Sequence, residues 1–306
     1  MVGGTPAAVA GTLLLLSNLC GFGDMPAGCG ELGVTPSLIV YQGAIDPDAT
    51  GAWSRPDLTE EWLLSNVPPD YPGFLVLDWE DGVMPLIAAG PSDPGFSAVV
   101  TEMERLLRHV KRLRPNARIG YFDLPFSGYW RQDDDWRAAM AALRPIFDAS
   151  DALFPSVYDF YPGEAERDQE RFGTLVETAL DLAAGKPVIL YTHHRYHHGE
   201  TDRGFELIPR DEYVAHIRGL MAVERGGARP AGVVAWGEER YFFNAAFALA
   251  EDGSYAWTGA MWDRARSAYL SEMMPGESID EYGPRLYASV CCLLAEAVRG
   301  VPCTIR

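Results

Sequence analysis

The chain has 306 residues, with 25 Lys and Arg against 43 Asp and Glu, a formal charge of −18. A chain this long buries a sizeable core without a metal or disulfide scaffold, and 48% hydrophobic with 22% charged residues is a folding composition. The acidic balance excludes the clustered Lys and Arg that phosphate backbones require, so nucleic acid is not an expected partner.

The first apolar stretch, Ala7 to Leu16, has no Lys or Arg before it and so lacks the basic start of a signal peptide. Its core, Leu13 to Leu16, is far short of the ~20 residues of a membrane span. We read a buried strand over 12–16, ending in a loop. Further strands are predicted over 37–41, 74–78, 118–122, 152–155, 187–191 and 232–236. Their uninterrupted apolar runs suit parallel strands buried on both faces. Helical spacing fills the gaps. Val99, Val100, Met103, Leu106, Leu107 and Val110 form one stripe over 96–113, and Phe172, Leu175, Val176, Ala179, Leu180 and Ala183 form another over 169–184. Asp57 with Glu60 and Glu61, and Pro209-Arg210-Asp211, read as helix starts.

No repeat or linker interrupts the chain, so a single domain over 1–306 is expected. Seven β–α alternations fit either a barrel or an open doubly wound sheet. No GxGxxG or GxxxxGK[ST] follows a strand, which removes the nucleotide-binding signature of the open sheet. Polar and aromatic residues gather instead at the C-terminal ends of several strands: Asp78, Glu80, Tyr121, Tyr158, Tyr196 and Trp236. A barrel collects such residues around one mouth. The predicted fold class is therefore α/β, a TIM-like (β/α) barrel of about seven parallel strands.

The sharpest feature is Phe74-Leu-Val-Leu-Asp78-Trp79-Glu80, an apolar strand ending in two carboxylates at i and i+2. The strand period sends both to one face. Two acids so close do not both ionise cheaply, and a proton-holding acid is what a departing glycosidic oxygen needs. The aromatic set offers flat faces for sugar rings. The run His193-His194-Arg195-Tyr196-His197-His198 invites a metal reading, but no Cys or second His cluster completes a site. It reads better as solvated loop imidazoles or as a cationic rim switched on near pH 6. No cofactor and no metal are expected. There is no GxSxG, and Ser156 has no elbow glycines.

The five cysteines fall at the two ends: Cys20 and Cys29, then Cys291, Cys292 and Cys303. None has CxxC spacing, and Cys291-Cys292 lies in an apolar helical stretch that reads as core. A disulfide joining the ends would suit an exported protein; five reduced thiols is the other reading. The odd count leaves at least one thiol free or paired with another chain.

In order, the chain shows Pro72-Gly73-Phe-Leu-Val-Leu-Asp78-Trp-Glu80, Gly120-Tyr121-Phe122 with Pro125, Phe154-Pro155-Ser-Val-Tyr158, Lys186-Pro-Val-Ile-Leu-Tyr191 with Arg195-Tyr196, and Gly232-Val-Val-Ala-Trp236-Gly237. Over about 72–244 this ordered set resembles the hyaluronidases of animals and insect venoms, glycoside hydrolase family 56. The resemblance implies a distorted seven-stranded TIM-like barrel, an extracellular location, and retaining, substrate-assisted cleavage of β-linked N-acetylhexosamine in a glycosaminoglycan such as hyaluronan or chondroitin. It maps the proton donor to Glu80 and the acetamido-orienting carboxylate to Asp78. Tyr158 and Tyr196 become acetamido-contacting hydroxyls, Trp236 the wall under the sugar, and Tyr121 a neighbour. One departure is that Asp81-Gly-Val-Met-Pro85 keeps the proline but loses the arginine of the family's aromatic-Arg-Pro element. Two alternatives stand beside this reading: a glycan-binding or weakly active hyaluronidase-like protein, and a hydrolase of neutral chitin-like oligosaccharides.

Overall fold

The computed structural model describes residues 13–19, 25–26, 28–49, 53–129, 131–199, 202–249 and 259–303. The chain is a mixed α/β fold with parallel sheets. Its strands are β1 (Leu14–Leu19), β2 (Val34–Pro36), β3 (Leu38–Val40), β4 (Phe74–Leu77), β5 (Arg118–Tyr121), β6 (Ile189–His193) and β7 (Gly232–Gly237). Its helices are α1 (Pro56–Asn66), α2 (Met84–Ala89), α3 (Phe96–Leu113), α4 (Asp134–Ala142), α5 (Arg144–Ala149), α6 (Ala165–Ala183), α7 (Arg210–Met221), α8 (Glu239–Asn244), α9 (Gly259–Glu272) and α10 (Ile279–Arg299).

Two sheets form, in the orders β2-β1-β7-β6 and β3-β4-β5, and every pairing is parallel. Only Ser37 separates β2 from β3. Its N–H donates to Ser17 O at 2.8 Å, while its own carbonyl accepts from the Asn18 side chain at 2.8 Å. One extended segment thus pairs with β1 by its first half and with β4 by its second. The same bonds draw the polar Ser17 and Asn18 into β1, which therefore runs past the predicted loop start at 17. Thr12, in the predicted strand, lies outside the described residues, as does Cys20.

The expected strand over 152–155 is instead a run of isolated bridges. Phe122 pairs with Phe154, Leu153 with Val188, and Ser156 with Tyr191. Pro155 has no N–H, so an unbroken two-sided ladder is closed to it. The segment still packs tightly on β5, because a Cβ on Gly120 would strike Ala152 O and the Phe154 ring.

Strand alternation divides the apolar residues into two layers. Leu16, Ile39, Phe74, Val76, Phe154 and Val234, drawn from both sheets and the bridge segment, meet in one inner cluster. Their neighbours Leu15, Val40, Leu75, Leu77, Ile119 and Val233 face the helices. On α3 the predicted stripe from Val99 to Val110 is buried against them.

Two disulfides join Cys29 to Cys291 and Cys292 to Cys303. The vicinal cysteines of α10, read from the sequence as core, are buried but oxidised. No helix among the described residues is long and apolar enough to cross a membrane.

Candidate active site

The inner face of β4 passes from Phe74 and Val76 to Asp78 and Glu80 without a change of phase, so both carboxyls follow the inner cluster to its upper end. Trp79, on the other face, is buried and points its Nε1 at Asp46 Oδ2, 3.4 Å away. The segment stays extended because Asp78 N donates to Val40 O at 2.9 Å. Beyond it, Gln42 Oε1 accepts from Glu80 N at 3.2 Å and from Asp81 N at 2.7 Å. Gly82, at φ +81°, then turns the chain into α2.

These acids open into a cavity of about 660 Å³. Its wall comes from the C-terminal ends of strands and bridges: Tyr41 after β3, Asp123 after β5, Ser156 and Tyr158 after the bridge segment, His193 on β6, and Trp236 on β7. Ligand sites of parallel α/β folds occupy this end. Tyr158 and Trp236 stack at 5.8 Å between centroids and 18° between planes, with the His193 ring 5.4 and 5.0 Å from them.

Burial, then the charges of Glu80 and Glu238, push the Asp78 carboxyl well above the usual carboxylate range, and its Oδ1 has no hydrogen-bond partner. Glu80 is solvent-accessible, yet protein surrounds its carboxyl closely enough that burial, then Asp81, raises it to about 7. A hydrogen bond with Asp78 opposes that rise. Asp123 is also pushed up, by burial and then by Glu80, although it accepts from Ser127 N at 3.1 Å and Ser156 N at 3.4 Å. Burial raises Glu238 as well, opposed by a hydrogen bond from Tyr41. The four carboxyls therefore hold protons above the pH at which exposed acids lose them.

The site residues read from the sequence divide. Asp78, Glu80, Tyr158, Tyr196 and Trp236 all line the cavity. The Tyr196 hydroxyl donates to Glu212 Oε1 at 2.8 Å. Tyr121 lies on the helix side of β5, pairing with Leu77, and its hydroxyl donates to Met103 O in α3 at 2.8 Å. Glu238 and Gln42 also belong to the site and escaped the sequence reading, and His193, read there as part of a cationic rim, lines the cavity. Glu238 was findable, since it follows Trp236 by the same two-residue step that joins Asp78 to Glu80.

The expected cationic rim does not form. Burial holds His193 far below its usual range, His197 down to about 3 and His198 down to about 4, so these imidazoles stay neutral near pH 6. Arg195 is wholly buried and turned away from the cavity toward Glu239 (2.9 Å), Glu272 (2.8 Å) and the Tyr282 hydroxyl (2.8 Å). Arg131 pairs with Asp133, and Arg203 with Glu206.

Two buried groups among the described residues have metal-ligand chemistry. In His193, His194 and Glu239, the carboxylate is already engaged by Arg195, His194 and the Tyr269 hydroxyl. In Asp159, Asp168 and His216, burial and then Asp159 raise Asp168 to about 9. It keeps its proton at neutral pH, and the two acids hydrogen-bond to each other.

No protein-family model and no curated protein matches the chain. Among solved structures, bee venom hyaluronidase in complex with a hyaluronic acid tetramer superposes with a TM-score of 0.58 at 18% identity, covering 89% of this chain and 98% of that one. A monoclinic crystal structure of bee venom hyaluronidase gives 0.55 at 17% identity, over 90% and 100%. At this identity the likeness is one of fold: the chain has a hyaluronidase-like α/β architecture.

Proposed function

We propose that the chain is a retaining, substrate-assisted glycoside hydrolase acting on β-linked N-acetylhexosamine. The observation that carries this reading is the Asp78–Glu80 pair, set on one face at the mouth of a cavity, with Glu80 raised to about 7. In the first step Glu80 gives its proton to the glycosidic oxygen as the C1–O bond breaks. The acetamido carbonyl oxygen of the substrate bonds to C1, so no second carboxylate is needed as nucleophile. Asp78 accepts the acetamido N–H and orients the group. In the second step Glu80 takes a proton from water, which attacks C1 and reopens the ring formed with the acetamide. The Tyr158–Trp236 stack supplies the flat wall for the sugar. Tyr196 contributes its hydroxyl at the edge, already oriented by Glu212. Tyr121 ties β5 to α3 through its hydroxyl rather than touching sugar.

The two sheets are read as one distorted seven-stranded barrel, closed by the 34–40 segment on one side and the 152–156 bridges on the other, in a single domain. The disulfides support an oxidising, extracellular setting.

The test is a panel of acetamido-containing polysaccharides scored for new reducing ends. Wild type should cut at least one, and Glu80→Gln should cut it ~10²–10⁴-fold more slowly, the usual contribution of general acid–base catalysis. Equal rates for the two proteins, or no cutting of any member, would sink the proposal.

A further inference from the structure

The cavity is lined by five acids, Asp78, Glu80, Asp81, Asp123 and Glu238, and by no Lys or Arg among the described residues. Residues outside the described set add one basic residue to the chain, Arg306. The basic residues next along the chain to cavity-lining positions are each paired with an acid outside the cavity lining, although the Arg203 guanidinium also lies 4.6 Å from the centre of the Tyr196 ring. Arg131 pairs with Asp133, Arg203 with Glu206 and Arg240 with Asp280. The histidines on the wall are held neutral by burial.

A uronate or sulfate entering this cavity would lose its water and meet carboxyls without a guanidinium or ammonium to replace the hydration. Every one of these acids that is ionised adds like-charge repulsion, which suppresses a wrong ligand, and an anion that enters presses the others to keep their protons. An ammonium group meets the opposite situation. It finds carboxylates crowded by one another, and the faces of Trp236, Tyr158 and Tyr41 offer further attraction to a cation.

We propose that the cavity selects glycans by the sign of their charge. It accepts an N-acetylhexosamine chain in which some neighbouring sugars carry a free amino group, and rejects chains bearing uronate or sulfate. This rests on the glycosidase reading for its acetamido sugar, while the sign preference rests on the cavity acids alone. The raised carboxyls Asp78, Glu80, Asp123 and Glu238 fit it, because an adjacent ammonium would let them ionise and so gain by the contact.

The experiment uses three chains of matched length: hyaluronan, fully acetylated chitin oligosaccharide, and partly de-N-acetylated chitin oligosaccharide. Turnover is read on wild type. Affinity is read separately by titration calorimetry on Glu80→Gln, which does not depend on catalysis. The partly de-N-acetylated chain should bind most tightly and hyaluronan most weakly, with at least about tenfold between the two. The gap should narrow as salt is raised. Glu238→Gln and Asp81→Asn should narrow it at constant salt. Equal affinity for all three chains, tighter binding of hyaluronan, or no advantage for the de-N-acetylated over the fully acetylated chain would overturn the inference. Rapid cutting of hyaluronan would overturn it while leaving the glycosidase standing. Absence of cutting on every chain would overturn the glycosidase, with the calorimetry still deciding the sign preference.

Discussion

Asp78 and Glu80 stand two residues apart on one face of an extended segment, and protein surrounds both. Enclosure disfavours the charged form of each; the Glu80 charge raises Asp78 further, while the hydrogen bond with Asp78 eases the ionisation of Glu80. Glu80 is the member reached by solvent, and its rise to about 7 keeps the proton donor loaded in mildly acidic and neutral solution. Its protonated fraction falls as pH rises through 7, so kcat/KM should hold steady below about pH 6 and decline above 7. A pH profile that climbs through this range would contradict the assignment. The same enclosure has a thermodynamic side. A carboxyl whose folded pKa lies above its unfolded value binds more protons in the folded state, so it costs stability as pH rises from the unfolded pKa through the folded one. Asp78 is such a group. Asp78→Asn should therefore melt higher than wild type at pH 8, by about 2–4 °C for each kcal/mol relieved, while losing turnover. A lower Tm at pH 8 would show that the Asp78 charge stabilises the fold. The carboxylate pair was legible in the sequence because the strand period alone fixes its common face. Tyr121 was not placed so easily. It sits at the end of an apolar strand like the others, but its register opposite Leu77 turns it toward α3, and register between strands is not written in either strand alone.

The loop that follows β6 carries a buried arginine that ties it to its neighbours. Arg195 bonds Glu239 at the start of α8, Glu272 at the end of α9, Tyr282 in α10 and the Phe205 carbonyl. Through it, an element that carries the cavity residues His193, Tyr196 and His197 is locked to three helices. Breaking a buried pair by removing one partner leaves an uncompensated charge and costs about 3–5 kcal/mol. Arg195→Met should lower the unfolding free energy by about that amount in denaturant titrations. A change under about 1 kcal/mol would mean that Glu239 finds another partner. In the sequence this arginine stood within the run read as a cationic rim; its carboxylate partners lie 44 and 77 positions away. Elements with strong periodicity were more legible. The range 96–113 read from its apolar stripe is the observed α3. The 152–155 segment failed as a regular strand because Pro155 has no N–H for a second ladder, a cost that its apolar character concealed.

At the scale of the whole molecule, uninterrupted apolar strands and amphipathic helices were enough to read a parallel α/β architecture, and the hyaluronidase-like superposition agrees with it. Which cysteines pair was not readable, because a bond across 262 positions depends on how the completed fold returns its last helix to its first loop. The two bonds on α10 attach it in opposite directions along the chain, one to the loop before β2 and one to the segment that follows α10 itself. The Cys29–Cys291 bond makes one covalent circle of everything between, which includes every strand after β1 and both halves of the cavity wall. A protease that opens a surface loop within that circle would cut the backbone without separating the pieces. Such a nicked protein should run as a single species under denaturing electrophoresis, fall into two fragments only when thiol reductant is added, and do neither once Cys29 is replaced by serine.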